Sequence, residues 1–120
     1  MGVRWSCAAR WATCEAGAVI KGRVDQSGKG WIAGPWNSDV PVAVGYADTG
    51  VDDPHTHDSM YEVYFVARGT SSAVVDGHRV DLHAGDVLIV EPGEAHMFVN
   101  SSADSLHFVV QAPVVEGDKR

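Results

Sequence analysis

Residues 50–69 read GVDDPHTHDSMYEVYFVARG, and two features of this stretch decide how the rest of the chain is read. The first is His55-Thr56-His57. In an extended strand, residues i and i+2 face the same side, so both imidazoles reach one point. The second is Glu62–Ala67, an apolar and aromatic run closed by Gly69, which reads as a short strand ending in a turn. Glu62 follows His57 at an odd offset, so a strict strand would face it away. A turn or bulge through Asp58–Tyr61 returns it to the same side, and Ser59 suits such a turn.

Outward from this stretch the chain keeps the same grammar. Val40–Tyr46 alternates around Val42 and Val44. Ala73-Val74-Val75 runs into Asp76-Gly77, a dipeptide that supplies the positive backbone torsions of a tight hairpin, and Val80–Leu82 returns. Gly85-Asp86 turns again, Val87–Val90 forms a strand ended by Pro92-Gly93, and His96–Val99 and Leu106–Gln111 complete the set. The apolar residues agree, with 19 Val against only 3 Leu. Val is stiff at its first side-chain torsion and suits strands, whereas Leu is the main apolar helix former. An all-β sandwich or small barrel is therefore predicted, and a helical bundle is excluded.

A length of 120 residues leaves room for one domain. Within it, residues 1–36 are expected to form an N-terminal arm with edge strands, packing on the barrel or on a partner subunit. Residues 37–115 form the barrel and 116–120 a polar tail. All four tryptophans (Trp5, Trp11, Trp31, Trp36) fall in the arm, where exposing several indoles would forfeit burial energy. The formal charge of −7 argues against a nucleic-acid-binding face, and no apolar run approaches the roughly 18 residues of a membrane span. Gly28, Gly30 and Gly34 lack the following helix that a phosphate loop requires. Cys7 and Cys14 fit neither a zinc ribbon nor a redox pair, and Arg4 and Arg10 interrupt any secretory signal, so a cytoplasmic protein with reduced thiols is expected.

His96 is the fourth candidate for the site begun by His55, His57 and Glu62. Three neutral imidazoles and a carboxylate suit a divalent transition ion such as iron, manganese, nickel or zinc. An HxH pair alone is also compatible with ordinary hydrogen-bonded strand histidines. The surrounding order carries the reading further. Gly50 is followed after four residues by His55-x-His57, after four more by Glu62 and after six by Gly69. Later, Gly85 is followed after seven residues by Gly93, after two by His96 and after three by Asn100.

These two blocks resemble the paired motifs of the cupin family over about residues 40–112. The first opens one residue short of the usual form, and the second has Glu91 where proline is common, with Pro92 one place later. The resemblance implies a double-stranded β-helix (a jelly-roll barrel) with a metal inside one end, held by His55, His57, Glu62 and His96. Asn100 would close a turn or support its strand rather than touch substrate. Tyr64, on the face of Glu62, and Phe98, on the face of His96, are candidate pocket residues. His107 on the last strand is another, and so is Tyr61 if the bulge turns it inward. His78 and His83, beside turns, should be solvated.

Cupins span dioxygenases, isomerases, decarboxylases, lyases, cyclases, storage proteins and ligand sensors, so the fold does not choose the chemistry. The complete ligand set points to a metal-dependent enzyme acting on a small organic molecule, with oxygenase chemistry placed ahead of isomerase, lyase or cyclase chemistry. The alternative is a non-catalytic cupin module that binds a small ligand or metal. Arg68 and Arg79 lie at strand ends, which favours a neutral or aromatic substrate unless Lys21, Arg23 or Lys29 reaches the site. A homodimer is expected, as is common for small cupins, with the Trp-rich arm able to add a strand to a neighbour.

Overall fold

The computed structural model describes residues 19–49 and 51–120. Trp5, Trp11, Cys7, Cys14 and Gly50 lie outside the described residues. Eight strands follow one another: β1 (Lys29–Ala33), β2 (Ala43–Ala47), β3 (Tyr61–Arg68), β4 (Thr70–Val75), β5 (His78–His83), β6 (Val87–Val90), β7 (His96–Ser101) and β8 (Leu106–Ala112). Among the described residues there is no helix, hence none long and apolar enough to cross a membrane. All pairings are antiparallel, in a five-stranded sheet ordered β1-β2-β8-β3-β6 and a three-stranded sheet ordered β5-β4-β7. This is the all-β, double-stranded β-helix that the resemblance implied.

The β4–β5 hairpin forms where Asp76-Gly77 places it. Val75 pairs with His78, and the two turn residues take φ of 48° and 81°. Asp76 then ties the hairpin to the turn ahead of β7, donating its backbone N–H to the Ala95 carbonyl at 2.7 Å and accepting the Ala95 N–H on its carboxylate at 2.8 Å. Alternation along the strands divides each sheet into an inner and an outer face. Tyr64, Val66, Val90 and Val109 from the larger sheet meet Ala73, Leu82 and Phe98 from the smaller one, closing the core between them. Removing these side chains from water supplies the main stabilisation.

β1, in the segment expected as an arm, is the edge strand of the larger sheet, with Trp31 in register with Gly45. The indole lies directly over that glycine. A Cβ at Gly45 would come within 2.7 Å of Trp31 Cε3 and 2.9 Å of the Gly30 carbonyl oxygen, so only glycine lets β1 close down there. The last five residues, read as a polar tail, are exposed except for Asp118, and they pair with the chain beside the site. The Thr56 and Arg120 backbones exchange hydrogen bonds at 2.9 and 2.7 Å, and Asp118 is buried. Polar composition does not show this pairing, because the groups that bond are backbone amides and a single carboxylate, which alternation of apolar residues cannot reveal.

Candidate metal centre

The segment carrying His55 and His57 is held extended by hydrogen bonds on both flanks. On one side His55 and His96 exchange backbone bonds at 3.1 and 2.9 Å; on the other, Thr56 pairs with Arg120, placing His57 opposite Lys119. Pro54 contributes from the sequence side, since the residue before a proline is driven to extended torsions. Both imidazoles therefore face inward, as the i, i+2 spacing predicted. The chain then bends at Asp58 and Ser59 before β3 begins. Asp118 Oδ2 accepts the N–H groups of Ser59 and Met60, both at 2.9 Å, and so fixes the turn that returns Glu62 to the histidine side. Burial alone would raise the Asp118 pKa, but these two amide donors hold it below the usual carboxylate value.

Ligand atoms of His55, His57, Glu62 and His96 all lie within 4.8 Å of one another. The Nε2 atoms of His96, His57 and His55 stand 2.7, 3.2 and 4.0 Å from Glu62 Oε1. The other ring nitrogens orient two of these imidazoles. His55 Nδ1 donates to the Asp53 carbonyl at 2.8 Å and His96 Nδ1 to the Glu94 carbonyl at 2.9 Å. A carbonyl can only accept, so each Nδ1 carries hydrogen and each Nε2 is turned toward the cluster, the outer arrangement common around metal-binding histidines. His57 differs, because both its ring nitrogens are buried without a hydrogen-bond partner among the described residues. Such an orphaned imidazole is costly unless something else satisfies it.

Glu62 is held by three side-chain hydrogen bonds. Oε1 accepts from Tyr64 Oη at 2.8 Å and from His96, while Oε2 accepts from Gln111 Nε2 at 2.8 Å. Burial pushes its pKa upward, yet the hydrogen bonds from His96, Gln111 and Tyr64 overcome this and bring it down to about 2. Burial and the adjacent carboxylate push the Tyr64 phenol far above its ordinary value, so it stays a donor. Burial lowers the His55 pKa, with a nearby Lys119 charge acting in the same direction. For His96, burial is outweighed by the Glu62 hydrogen bond, which raises the pKa.

The cluster forms part of the wall of a cavity of about 370 Å³. Tyr64, Phe98 and His107 line it, as expected of pocket residues. The His107 ring is buried, stacks on Phe98 with ring centroids 4.8 Å apart, and has a pKa lowered by burial. Tyr61 does not belong to this group. It lies on the outer face of β3, 45% exposed and opposite Ala112, because the bend ends before it and β3 alternates from Tyr61 onward. His78 and His83 are exposed.

Three contributors escaped the sequence reading. Gln111 sits opposite Glu62 across the β3–β8 pairing, and only strand order reveals that. Its i+4 spacing from His107 did signal a shared face. Asp118 and Lys119 lie in the segment read as a polar tail. The cavity wall also carries Lys29 and Lys119.

Comparison with known proteins agrees with this architecture. The chain matches the cupin domain family over residues 43–111, more than half its length, and therefore belongs to the cupin family. Among curated proteins it is 29% identical over 72 residues to the pectin degradation protein KdgF of Dickeya dadantii, covering 59% of this chain and 66% of that one. It is 31% identical over 55 residues to an oxalate-binding protein of Thermotoga maritima, covering 46% of each. The chain thus spans less than two thirds of either relative. Among solved structures, Pac13 of Streptomyces, a nucleoside dehydratase, superposes with a TM-score of 0.67 at 17% identity, covering 86% of this chain and 90% of that one. At that identity the likeness is one of fold.

Proposed function

We propose that this protein is a metal-dependent cupin enzyme acting on a small organic molecule, with His55, His57, Glu62 and His96 as the ligands of a divalent transition ion. The observation that carries the reading is the convergence of three imidazole Nε2 atoms on one buried carboxylate oxygen, with both nitrogens of His57 otherwise unsatisfied. A borderline-soft cation suits this donor set, and iron, manganese, zinc and nickel all accept it. Such an ion would supply Lewis acidity toward a substrate oxygen, or oxygen chemistry if it is redox-active.

The chain's own groups do the rest. Tyr64 and Gln111 keep Glu62 ionised and aimed. Phe98 and Val109 keep one wall apolar. His107, kept neutral near pH 7 by burial, presents an imidazole able to take or give a proton. That last feature favours isomerase or lyase chemistry, in which a proton moves, over the oxygenase chemistry that the sequence reading placed ahead. The similarity to a pectin degradation protein is compatible with this ordering. A non-catalytic module remains the second reading, supported by the similarity to an oxalate-binding protein.

Elemental analysis of protein purified without a metal-affinity tag tests the proposal. Near-stoichiometric metal in the wild-type protein, lost in His57→Ala, is the expected result. Iron with substrate-dependent oxygen uptake would restore the oxygenase reading. Metal-free protein that also refuses added metal would end the metal-enzyme reading.

We further propose that two copies of the chain pair. The outer face of β3 and β6 supports this, for Phe65, Val87 and Ile89 are exposed there at 43%, 52% and 58%.

A further inference from the structure

Basic residues cluster unevenly on this acidic chain. Lys29 and Lys119 come from opposite ends of the sequence yet line the same cavity as the histidine–glutamate cluster. Their positions follow from backbone pairing. Lys29 pairs with Ala47, which pairs with the inward-facing His107, so β1 turns Lys29 to the inner side of the larger sheet. Lys119 is bridged to His57, one of the clustered histidines, and its charge is felt at His55.

Neither ammonium has a carboxylate partner among the described residues, although acids are nearby. Glu62 is engaged by Tyr64, Gln111 and His96. Asp52, also on the cavity wall, accepts the Phe98 N–H at 2.6 Å. Asp53 stands on the adjoining rim and forms no ion pair with either lysine. Of the other basic residues, Arg79 pairs with Asp81, Arg120 with Asp58, and Arg68 donates to the Asp104 carbonyl, while Lys21 and Arg23 line a different pocket that lacks the histidine–glutamate cluster. Exposed lysines are ordinarily just solvated. Here two lysines without an ion pair line one cavity, whose acids Asp52 and Glu62 are already engaged by other donors, so both ammonium groups are free to meet an anion there.

We infer that the site selects a small organic acid, its carboxylate paired by Lys29 and Lys119 at the mouth while its other oxygens face the histidine–glutamate cluster. This rests on the metal reading above and replaces the neutral substrate that the sequence favoured. That preference was conditional on Lys21, Arg23 and Lys29 staying clear of the site; β1 brings Lys29 to the cavity wall, and the C-terminal segment adds Lys119.

The test compares malate with lactate, which keeps the hydroxy-acid group but lacks the second carboxylate. Calorimetric titration of zinc-loaded protein should show malate binding at least about tenfold more tightly than lactate, the value of a charge-assisted contact. In Lys29→Ala/Lys119→Ala that advantage should largely disappear, with zinc content and thermal unfolding unchanged. Equal binding of malate and lactate by the wild-type protein, or a malate advantage that survives in the double variant, overturns the inference while leaving the metal reading intact. Protein that takes up no zinc overturns the metal reading, and the inference with it.

Discussion

Glu62 shows how much of a metal site is decided by residues outside the ligand set. A carboxylate buried to this degree would ordinarily be driven toward its neutral form, yet three donors hold its pKa at about 2. Tyr64 and Gln111 are the two of these outside the histidine cluster, and each supplies a single hydrogen bond. Tyr64→Phe keeps the ring in the core, and Gln111→Leu keeps the volume of the wall. Each substitution should therefore leave the fold intact and weaken metal binding by roughly 10–100-fold, the usual effect of losing such an orienting contact. Competition against a chromophoric chelator measures this, and unchanged affinity in both variants would show that Glu62 needs neither. At this scale the sequence was informative wherever spacing alone decides facing. His55 and His57 share a side by the period of a strand, and Tyr64 shares the side of Glu62 for the same reason. The facing of Tyr61 was conditional on the bulge, because nothing in the residue order says where the bend ends and alternation begins; the bend ends before it, and it faces outward.

Short elements with little apolar character carry the geometry of the site. The segment around His55 and His57 is too brief to be a strand in its own right, and its extended form depends on β7 on one flank and the C-terminal residues on the other. Asp118 adds the turn that brings Glu62 round, through its bonds to Ser59 and Met60. Its folded-state pKa lies below its usual value of 3.8, so its contribution to stability is complete above about that pH and is lost as the pH falls through the folded value. Asp118→Ala should accordingly lower the thermal unfolding midpoint of metal-free protein at pH 7, and the gap from the wild type should narrow as the pH is taken below 4. A gap independent of pH would mean that the carboxylate's charge is irrelevant to the turn. The Asp76-Gly77 hairpin was legible because its chemistry is local to two residues. The docking of the last five residues was not, since alternation tells which side a residue faces but never which strand lies beside it.

At the scale of the whole molecule, charge and apolar surface are segregated. Inside, the larger sheet presents Glu62, Tyr64 and Gln111 to the cavity; outside, the same strands present Val63 and Phe65 on β3, Val87 and Ile89 on β6, and Phe108 on β8, all in lateral register. Among the described residues, those in register on this outer patch carry no charge. On a chain of net charge −7, two copies meeting through most other surfaces would oppose like charges, whereas here they would oppose none. A two-fold contact uses the same patch on both partners, so an uncharged face is compatible with itself without further adjustment. Among the described strands β6 is also the edge of its sheet, and an apolar edge invites association. Sedimentation at micromolar concentration should therefore show a dimer, and Ile89→Lys or Phe65→Lys should convert it to a monomer that retains its metal. Ile89 and Phe65 face away from the cavity, so loss of metal in either variant would point to misfolding, and Val87→Lys then serves as the independent check. A wild-type monomer at that concentration, or a dimer undisturbed by all three substitutions, would rule out this face as the contact.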